Sequence, residues 1–459
     1  MDNGCWQGSK AGRKGPYLSH LFFADDSVFV GKATCENCLF LKMTLDFFCG
    51  RSGQKVSQTK SSIFFSKNVG QNTREEIYNI LLLPQTENLG KYLGIPLVSR
   101  KLKKQDCNFI LDKVRTKLDG WKAKFFSMAR RTVLATSILA SVPNYYMQTT
   151  MLPSSVLSQL DRITRDFLWG SSHQHKKIHS VGWDKVTLSK SLGGLGIKSA
   201  KETNEVAMAK LNWRLVTERD KLWCQVLSSK YGIDDKPSPI PRNNSPVLNN
   251  IRKGNELFLK GVRWIPSNGQ SISLWDDCWA LDAPFRTMLA GPLYPFDSQL
   301  SVAEVFPHGC FQPNNVSYPL RDELLELIRA TPIVMASSSG DSFTWKGSSN
   351  GTFSAATAYH IAKGLHHSQK GDWQWIWKTK TLPKIQQFIW LLSHERHKTF
   401  KFLYDLGITE LASCPLCSAV IESCHHLFRR CPFVVGIWDY FFQGNNDYLD
   451  DDISFFQWF

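Results

Sequence analysis

Two groups of side chains in this chain have residue types and spacing suited to chemistry. Adjacent carboxylates, Asp25 and Asp26, stand between two short runs of β-prone residues. Far along the chain, Cys414 and Cys417 are followed by two histidines and then by Cys431. Paired carboxylates suit a hard divalent cation such as Mg²⁺, whereas thiolates with an imidazole select Zn²⁺. The sequence therefore predicts metal binding at both places.

The carboxylate pair is predicted to lie at the tip of a β-hairpin. Residues 18–23 and 27–30 are short, mostly apolar and rich in β-prone types, as expected of paired strands. Two adjacent acids repel each other and gain nothing from packing, so a cation that both can face explains them best. Ordinary turn chemistry is the alternative for a lone Asp-Asp pair.

The cysteine cluster has the spacing of a tetrahedral metal site. A Cys-x2-Cys pair places two thiolates on one tight turn, and a His and a Cys can return from a short helix to complete the set. Either His425 or His426 could supply the imidazole, and a group of buried thiols is the alternative. Cys35 and Cys38 repeat the spacing without a second pair, so we expect core thiols in a helix that Thr34 caps.

Composition favours a folded, basic protein with several domains. The chain has 459 residues, 42% of them hydrophobic, with sixteen Trp and a net charge of +15. This length allows two to four domains, and the positive charge favours a polyanionic partner, nucleic acid first. Twelve scattered Cys fit a reducing compartment, and no apolar stretch is long enough for a membrane span or a secretory signal.

The middle of the chain is predicted to be helical and basic. Residues 100–131 contain eleven Lys or Arg against three Asp. One helix carries Phe109, Ile110 and Val114 at helical spacing. Trp121 is expected to lead into a second helix, which carries Phe125, Met128, Val133 and Leu134. The second helix carries the cations Lys122, Lys124, Arg130 and Arg131.

Later segments give further expectations. An amphipathic helix should open at Pro153 with Val156 on its apolar face, and the glycines of 193–196 are expected to form a turn before a helix near Ala200. Residues 234–246 are interpreted as a linker. Beyond it, Asn350-Gly351 predicts a hairpin between strands at 343–345 and 352–353, and the Trp residues of this region are expected to form a core.

Three blocks near the start resemble the palm of reverse transcriptases from plant LINE-type (non-LTR) retrotransposons. They occur in the family's order, at residues 20–26, 52–61 and 91–97. A second stretch resembles the zinc-binding domain that follows the reverse transcriptase in plant retroelements. The residues that carry this second resemblance are Pro383-Lys384-Ile385, Phe388-Ile389-Trp390, Cys414 with Cys417, His426-Leu427-Phe428, and Cys431-Pro432.

The resemblance implies roles for particular residues. Asp25 would bind catalytic Mg²⁺ directly, Asp26 would support it, and Lys60 would sit near the nucleoside triphosphate. The structural Zn²⁺ ligands implied are Cys414, Cys417, His426 and Cys431. The basic residues Lys122, Lys124, Arg130 and Arg131 would then lie along the phosphates of an RNA or RNA/DNA template-primer duplex.

The overall expectation is an α+β chain derived from an RNA-directed DNA polymerase. The expected parts are a palm fragment (1–98), a helical thumb and connector (99–233), a small mixed module (247–340), a zinc-binding domain (341–440) and a truncated tail (441–459). The family's third catalytic carboxylate lies upstream of the Asp pair and has no counterpart here, so we expect no polymerase activity from the isolated chain. The alternative is a non-catalytic, zinc-stabilised nucleic-acid-binding protein; the family resemblance suggests the nucleus.

Overall fold

The described residues fall into two compact units, each assembled from segments that are distant in sequence. A computed structural model of the chain describes residues 6–98, 100–120, 125–172, 174–242, 245–331, 333, 340–365, 372–442 and 454–458. The first unit contains residues 1–106, 148–151 and 205–362, and the second contains 107–147, 152–204 and 363–459. The domain borders expected from the sequence remain predictions.

Helices dominate the described residues, and the strands form four two-stranded antiparallel sheets, so the α+β expectation is confirmed. The strands are β1 Ser9–Lys10, β2 Tyr17–Leu18, β3 His20–Phe23, β4 Asp26–Phe29, β5 Lys91–Tyr92, β6 Ile95–Pro96, β7 Val262–Ile265 and β8 Ser342–Trp345. The helices are α1 Cys35–Ser52, α2 Gln71–Leu81, α3 Lys104–Asp119, α4 Met128–Leu134, α5 Ser141–Met147, α6 Ser154–Trp169, α7 Trp183–Val186, α8 Ala200–Thr217, α9 Leu222–Tyr231, α10 Pro246–Lys253, α11 Asn255–Gly261, α12 Val302–Val305, α13 Asp322–Ala330, α14 Ala355–Ala362, α15 Gln374–Lys378, α16 Pro383–Ser393, α17 Phe400–Asp405, α18 Pro432–Phe442 and α19 Phe455–Trp458. Within the described ranges, no helix has both the length and the apolarity needed to cross a membrane.

The predicted hairpin is present in the first unit. Strands β3 and β4 pair with Phe23 opposite Asp26, which leaves a two-residue tip of Ala24 and Asp25. Ala24 has a φ of 46°, the left-handed conformation that such tight turns require. The next helix, α1, begins as expected, because the Thr34 hydroxyl accepts a hydrogen bond from the N–H of Asn37 at 3.4 Å.

The core of the first unit is built around tryptophan, as the sequence predicted. Trp264, Trp275, Trp279 and Trp345 are each at most 4% exposed and belong to one hydrophobic cluster. Their rings are therefore packing groups and do not form a surface for stacking bases.

The hairpin predicted across Asn350-Gly351 is wrong. Strand β8 pairs with β7, some eighty residues earlier, with Trp345 opposite Val262. Gly351 does turn the chain, at a φ of 69°, and its carbonyl accepts the N–H of Trp345 at 2.8 Å. The local turn signal was therefore right, but residues 352–353 do not continue into a paired strand, since strand pairing follows packing more than intrinsic preference.

In the second unit, the α6 prediction is confirmed. The helix starts after Pro153, ends at Gly170 in the left-handed conformation, and buries Val156 completely. The second basic helix starts later than predicted. Ser127 caps α4, which begins at Met128, and Phe125 lies before it with 85% of its surface exposed.

The glycine-rich turn expected at 193–196 is present, and it contacts α16 through hydrogen bonds. Gly193 has a φ of 82°, and its carbonyl accepts hydrogen bonds from the Trp390 indole and from His394, both at 2.8 Å. A Cβ at Gly193 would lie 2.9 Å from the Trp373 ring. Only glycine fits both the backbone conformation and this close approach, so the turn fixes the helix that leads to the cysteine cluster.

Candidate metal centre

The first two cysteines lie on a tight turn that follows α17. The N–H of Ser418 donates to the carbonyl of Cys414, and the N–H of Cys414 donates to the carbonyl of Ala419, both at 2.9 Å. Ser418 closes the turn with a φ of 58°. This folding brings Cys417 back beside Cys414, as the Cys-x2-Cys spacing predicts.

The other two residues of the cluster flank a short helical segment. Residues His426–Arg430 form a π-helical turn, and the N–H of Cys431 closes it by donating to the carbonyl of His426 at 2.7 Å. The Ser423 hydroxyl accepts the N–H of His426 at 3.1 Å. The wider π turn, which takes one residue more than an α turn, carries His426 and Cys431 to the same side.

The four side chains converge on one point. The ligand atoms of Cys414, Cys417, His426 and Cys431 all lie within 4.8 Å of one another, and Cys417 Sγ is 3.2 Å from His426 Nε2. This span is close to that of atoms surrounding a single Zn²⁺ at about 2.0–2.3 Å. Three sulfurs and one imidazole nitrogen fit zinc chemically, so the residues present suit the metal.

Two of the four side chains of the cluster are shielded from solvent. Cys414 is 1% exposed and Cys431 is fully buried, and burial raises the pKa of the Cys431 thiol. A hydrogen bond from the backbone N–H of Ala419 lowers the pKa of the Cys417 thiol, which favours the thiolate that a metal needs.

The neighbouring histidine is held in other interactions. His425 Nε2 lies 3.1 Å from a Glu395 carboxylate oxygen, and Nδ1 lies 3.2 Å from an Arg429 nitrogen. Its ring also stacks on Phe455, with centroids 4.5 Å apart. Both ring nitrogens therefore have partners outside the cluster. Of the two histidines that the sequence left open, the geometry favours His426 as the imidazole ligand.

Cys424, the extra cysteine of this region, is a packing residue. It is 6% exposed and lies in a hydrophobic cluster with Leu392 and Phe455. Burial raises the pKa of its thiol to about 11. An apolar site that disfavours the thiolate does not suit a metal ligand.

A supporting residue escaped sequence reasoning. Glu422 is 5% exposed, and its carboxylate accepts the N–H of Phe400 at 2.9 Å, while its carbonyl accepts the N–H of Lys401. It thus joins the start of α17 to the chain segment between Cys417 and His426. Charged residues are mostly exposed, so the sequence does not indicate that Glu422 is buried, and only the fold reveals this role.

The aspartate pair is separate from this cluster. Asp25 is exposed at the hairpin tip and Asp26 is exposed at the start of β4, and neither makes an ion pair with any described residue. Within the described ranges, the pair is not joined by a third Asp, Glu, His or Cys in a potential metal site. Lys60 lies exposed in a turn at 58–60, and its N–H donates to the carbonyl of Ser57.

The predicted nucleic-acid contacts are placed unevenly. Lys122 and Lys124 lie outside the described residues. Arg130 is exposed, with its guanidinium 3.9 Å from the centroid of the Phe126 ring. Arg131 is 8% exposed, and its guanidinium lies against Gly170. It is therefore not on the solvent-exposed face of the helix, where the sequence suggested it would be. The role of each cation in binding stays a prediction.

Comparison with known proteins identifies the region around the cysteine cluster. Residues 353–438 match the family described as zinc-binding in reverse transcriptase. A protein of Arabidopsis thaliana named "Putative ribonuclease H protein" is 31% identical over 75% of this chain, and the chain spans 57% of its length. An "Uncharacterized mitochondrial protein" of the same plant is 26% identical over 31% of this chain and 94% of its own length. The chain is thus similar to two Arabidopsis thaliana proteins, and residues 353–438 are a reverse-transcriptase zinc-binding domain, as the resemblance of this stretch predicted.

Proposed function

We propose that this chain is part of a retroelement RNA-directed DNA polymerase, in which a zinc-stabilised region binds the nucleic-acid template and primer. The observation that carries the proposal is the convergence of Cys414, Cys417, His426 and Cys431 inside a domain of the reverse-transcriptase zinc-binding type. The palm-like hairpin, with Asp25 at its tip and Asp26 at the start of β4, supports the polymerase origin.

The zinc would have a structural role. Four protein side chains fill a tetrahedral shell and leave no position for water or substrate. When bound, the metal supplies a cross-link between the Cys414–Cys417 turn and the His426–Cys431 segment. Those two segments share few buried apolar side chains, so metal binding contributes directly to their folding.

Nucleic acid is the proposed partner because the chain is strongly basic. A net charge of +15 creates an attractive field for polyanions of any sequence. Exposed cations such as Arg130 and Lys60 would neutralise backbone phosphates and release counterions. RNA or an RNA/DNA template-primer duplex is the expected form.

A second candidate is a nucleic-acid-binding protein without polymerase activity. It is favoured by the isolation of the Asp25–Asp26 pair, which is not joined by a third potential ligand within the described ranges. Two-metal nucleotidyl transfer needs carboxylates that clamp both ions. We therefore propose that this chain alone does not synthesise DNA.

Binding is tested with a fluorescent RNA–DNA template-primer duplex titrated at several salt concentrations. Arg130→Ala should lower the slope of log K against log salt by about 0.9, the contribution of one phosphate contact on a duplex. Lys260→Ala is the matched control, because Lys260 is already paired with Glu256 at 2.7 Å. No binding by the wild-type chain, or equal slopes for both variants, would contradict the proposed contact.

Primer extension with Mg²⁺ and deoxynucleotides tests the catalytic part separately. We expect no template-dependent product from the purified chain. Synthesis that Asp25→Ala abolishes would show that the pair is a working active site and would overturn the proposal of inactivity.

A further inference from the structure

A half-open cleft in the second unit carries an inference beyond the metal site. It has a volume of about 370 Å³ and is lined by the end of α6, the start of α4, and the chain segments at 177–180, 396–399 and 427–428. This volume is at the low end of the ~300–1,000 Å³ of small-molecule sites. The cleft is therefore large enough for one compact ligand and too small for a nucleic-acid duplex.

The cleft is lined by cations without carboxylates. Arg131, Lys177, Arg396 and Lys398 all contribute to its wall, and no Asp or Glu does. Lys177, Arg396 and Lys398 are exposed, and none of them forms an ion pair with a described residue. Positive charges gathered around one cavity repel each other and focus an attractive field on an anion.

Arg131 is a buried member of this set. Its guanidinium lies against Gly170, where a Cβ would come within 2.1 Å of Nη1, and the side chain is only 8% exposed. Burial lowers the pKa of Arg131, but an arginine stays protonated at neutral pH. A desolvated guanidinium offers directed donors in the geometry that phosphate oxygens prefer.

Aromatic rings complete the wall. Trp169 and Phe428 line the cleft beside the cations. Phe428 is half-buried and Trp169 is 8% exposed, so Phe428 presents the more accessible ring.

Cations together with aromatic rings are the combination that binds single-stranded nucleic acid, through phosphate neutralisation and base stacking. We propose that this cleft binds one phosphate-and-base unit of a single-stranded RNA or DNA segment. The inference rests on the proposed nucleic-acid function and adds a specific site to it. The segment would be an unpaired template or an unpaired end next to the duplex.

The test compares two double variants that remove the same charge. Arg396→Ala/Lys398→Ala removes two exposed cations of the cleft. Lys380→Ala/Lys384→Ala removes two exposed lysines of the same unit that do not line it. Each protein is titrated with a short fluorescent single-stranded oligonucleotide across a salt series. Thermal unfolding of each variant checks that the fold is retained.

We expect the cleft variant to weaken binding by about 10-fold and to lower the salt slope by about 1.4, from two contacts at 0.7 each on a single strand. The control should change affinity by less than about twofold. An iodouridine-substituted strand should cross-link to Trp169 or Phe428 on irradiation. Equal losses of affinity in both variants, with cross-links elsewhere, would contradict binding in the cleft. The proposed nucleic-acid function would not be affected by that result.

A second arm separates the sources of the ligand. Adenosine monophosphate and inorganic phosphate are each used as competitors against the labelled strand. Weak competition by both supports a strand as the occupant. If the mononucleotide competed with the same affinity as the strand, the occupant of the cleft would be a free nucleotide and not a strand, which would overturn the proposal. Absence of any binding to the wild-type chain would overturn both this inference and the proposed function.

Discussion

The environments of two adjacent histidines separate a proposed ligand from a structural residue. His426 Nε2 faces Cys417 Sγ at 3.2 Å, whereas His425 is held by Glu395, Arg429 and the Phe455 ring. Neighbours on a helix diverge by about 100° around its axis, so one of the pair points to the cysteines and the other away. Spacing left both histidines open as ligands, and the partners of each ring favour His426.

A pair of cysteine substitutions tests the cluster at the level of the single residue. Cys414→Ser should abolish bound zinc and lower the thermal midpoint, because serine is a poor zinc ligand and the site closes only with all four side chains. The measurement is zinc content per chain, followed by a thermal scan.

Cys424→Ser is the matched control in the same domain. It should keep one zinc per chain, with only a modest loss of stability from a polar hydroxyl in the Leu392–Phe455 cluster. Loss of zinc from this variant and not from Cys414→Ser would reverse the assignment.

At the scale of elements, helices and local turns could be predicted, whereas partners distant in sequence could not. The caps at Thr34 and Pro153 and the glycine turn at 193–196 rest on local chemistry, and each was found where the sequence placed it. The β7–β8 pairing joins residues about eighty positions apart. No local signal encodes such a pairing, because it depends on where Trp345 is buried.

Helix packing predicts opposite effects on stability for a Gly→Ala change at two positions. Gly254 precedes α11, and a Cβ there would lie 2.3 Å from the backbone nitrogen of Ala209 on α8. Gly254→Ala should therefore destabilise the protein by about 1–3 kcal/mol, the usual effect of overpacking. Gly436→Ala, in α18 with nothing within 4 Å, should stabilise it by up to about 1 kcal/mol. Urea unfolding of both variants provides the comparison, and destabilisation by Gly436→Ala alone would contradict it.

Asp341 gives a prediction about acid stability. Burial raises the pKa of this carboxyl, but hydrogen bonds from the backbone N–H groups of Ser267, Ser271, Gly269 and Asn268 outweigh burial, and the pKa falls below its ordinary value of 3.8. The stabilisation is present above pH 3.8 and is lost as the pH falls through the lowered value in the folded state.

Asp341→Asn should lower the free energy of unfolding by about 1–3 kcal/mol at pH 7, because an amide cannot accept all four bonds. The difference from the wild type should shrink below pH 4. Asp276 is exposed, so Asp276→Asn should change the free energy of unfolding little at either pH. An Asp341 variant as stable as the wild type at pH 7 would show that the loop at 267–271 does not depend on this carboxylate.

For the molecule as a whole, the sequence predicted the general character, but not how distant segments assemble into compact units. Charge and cysteine spacing indicated a basic protein with a metal-binding region, and residues 353–438 proved to be a zinc-binding domain. The two compact units each combine segments from both halves of the chain. The cleft lined by Arg131, Trp169 and Lys398 joins three such segments, so neither spacing nor periodicity could have indicated it.

X-ray absorption at the zinc edge of the purified full chain measures whether three cysteines and His426 hold a structural zinc. We expect one zinc per chain with three sulfurs at about 2.3 Å and one nitrogen at about 2.0–2.1 Å. The same spectrum should persist in His425→Asn and disappear in His426→Asn. A shell of four sulfurs, a shell with two nitrogens, or a chain that takes up no zinc after reconstitution would contradict it.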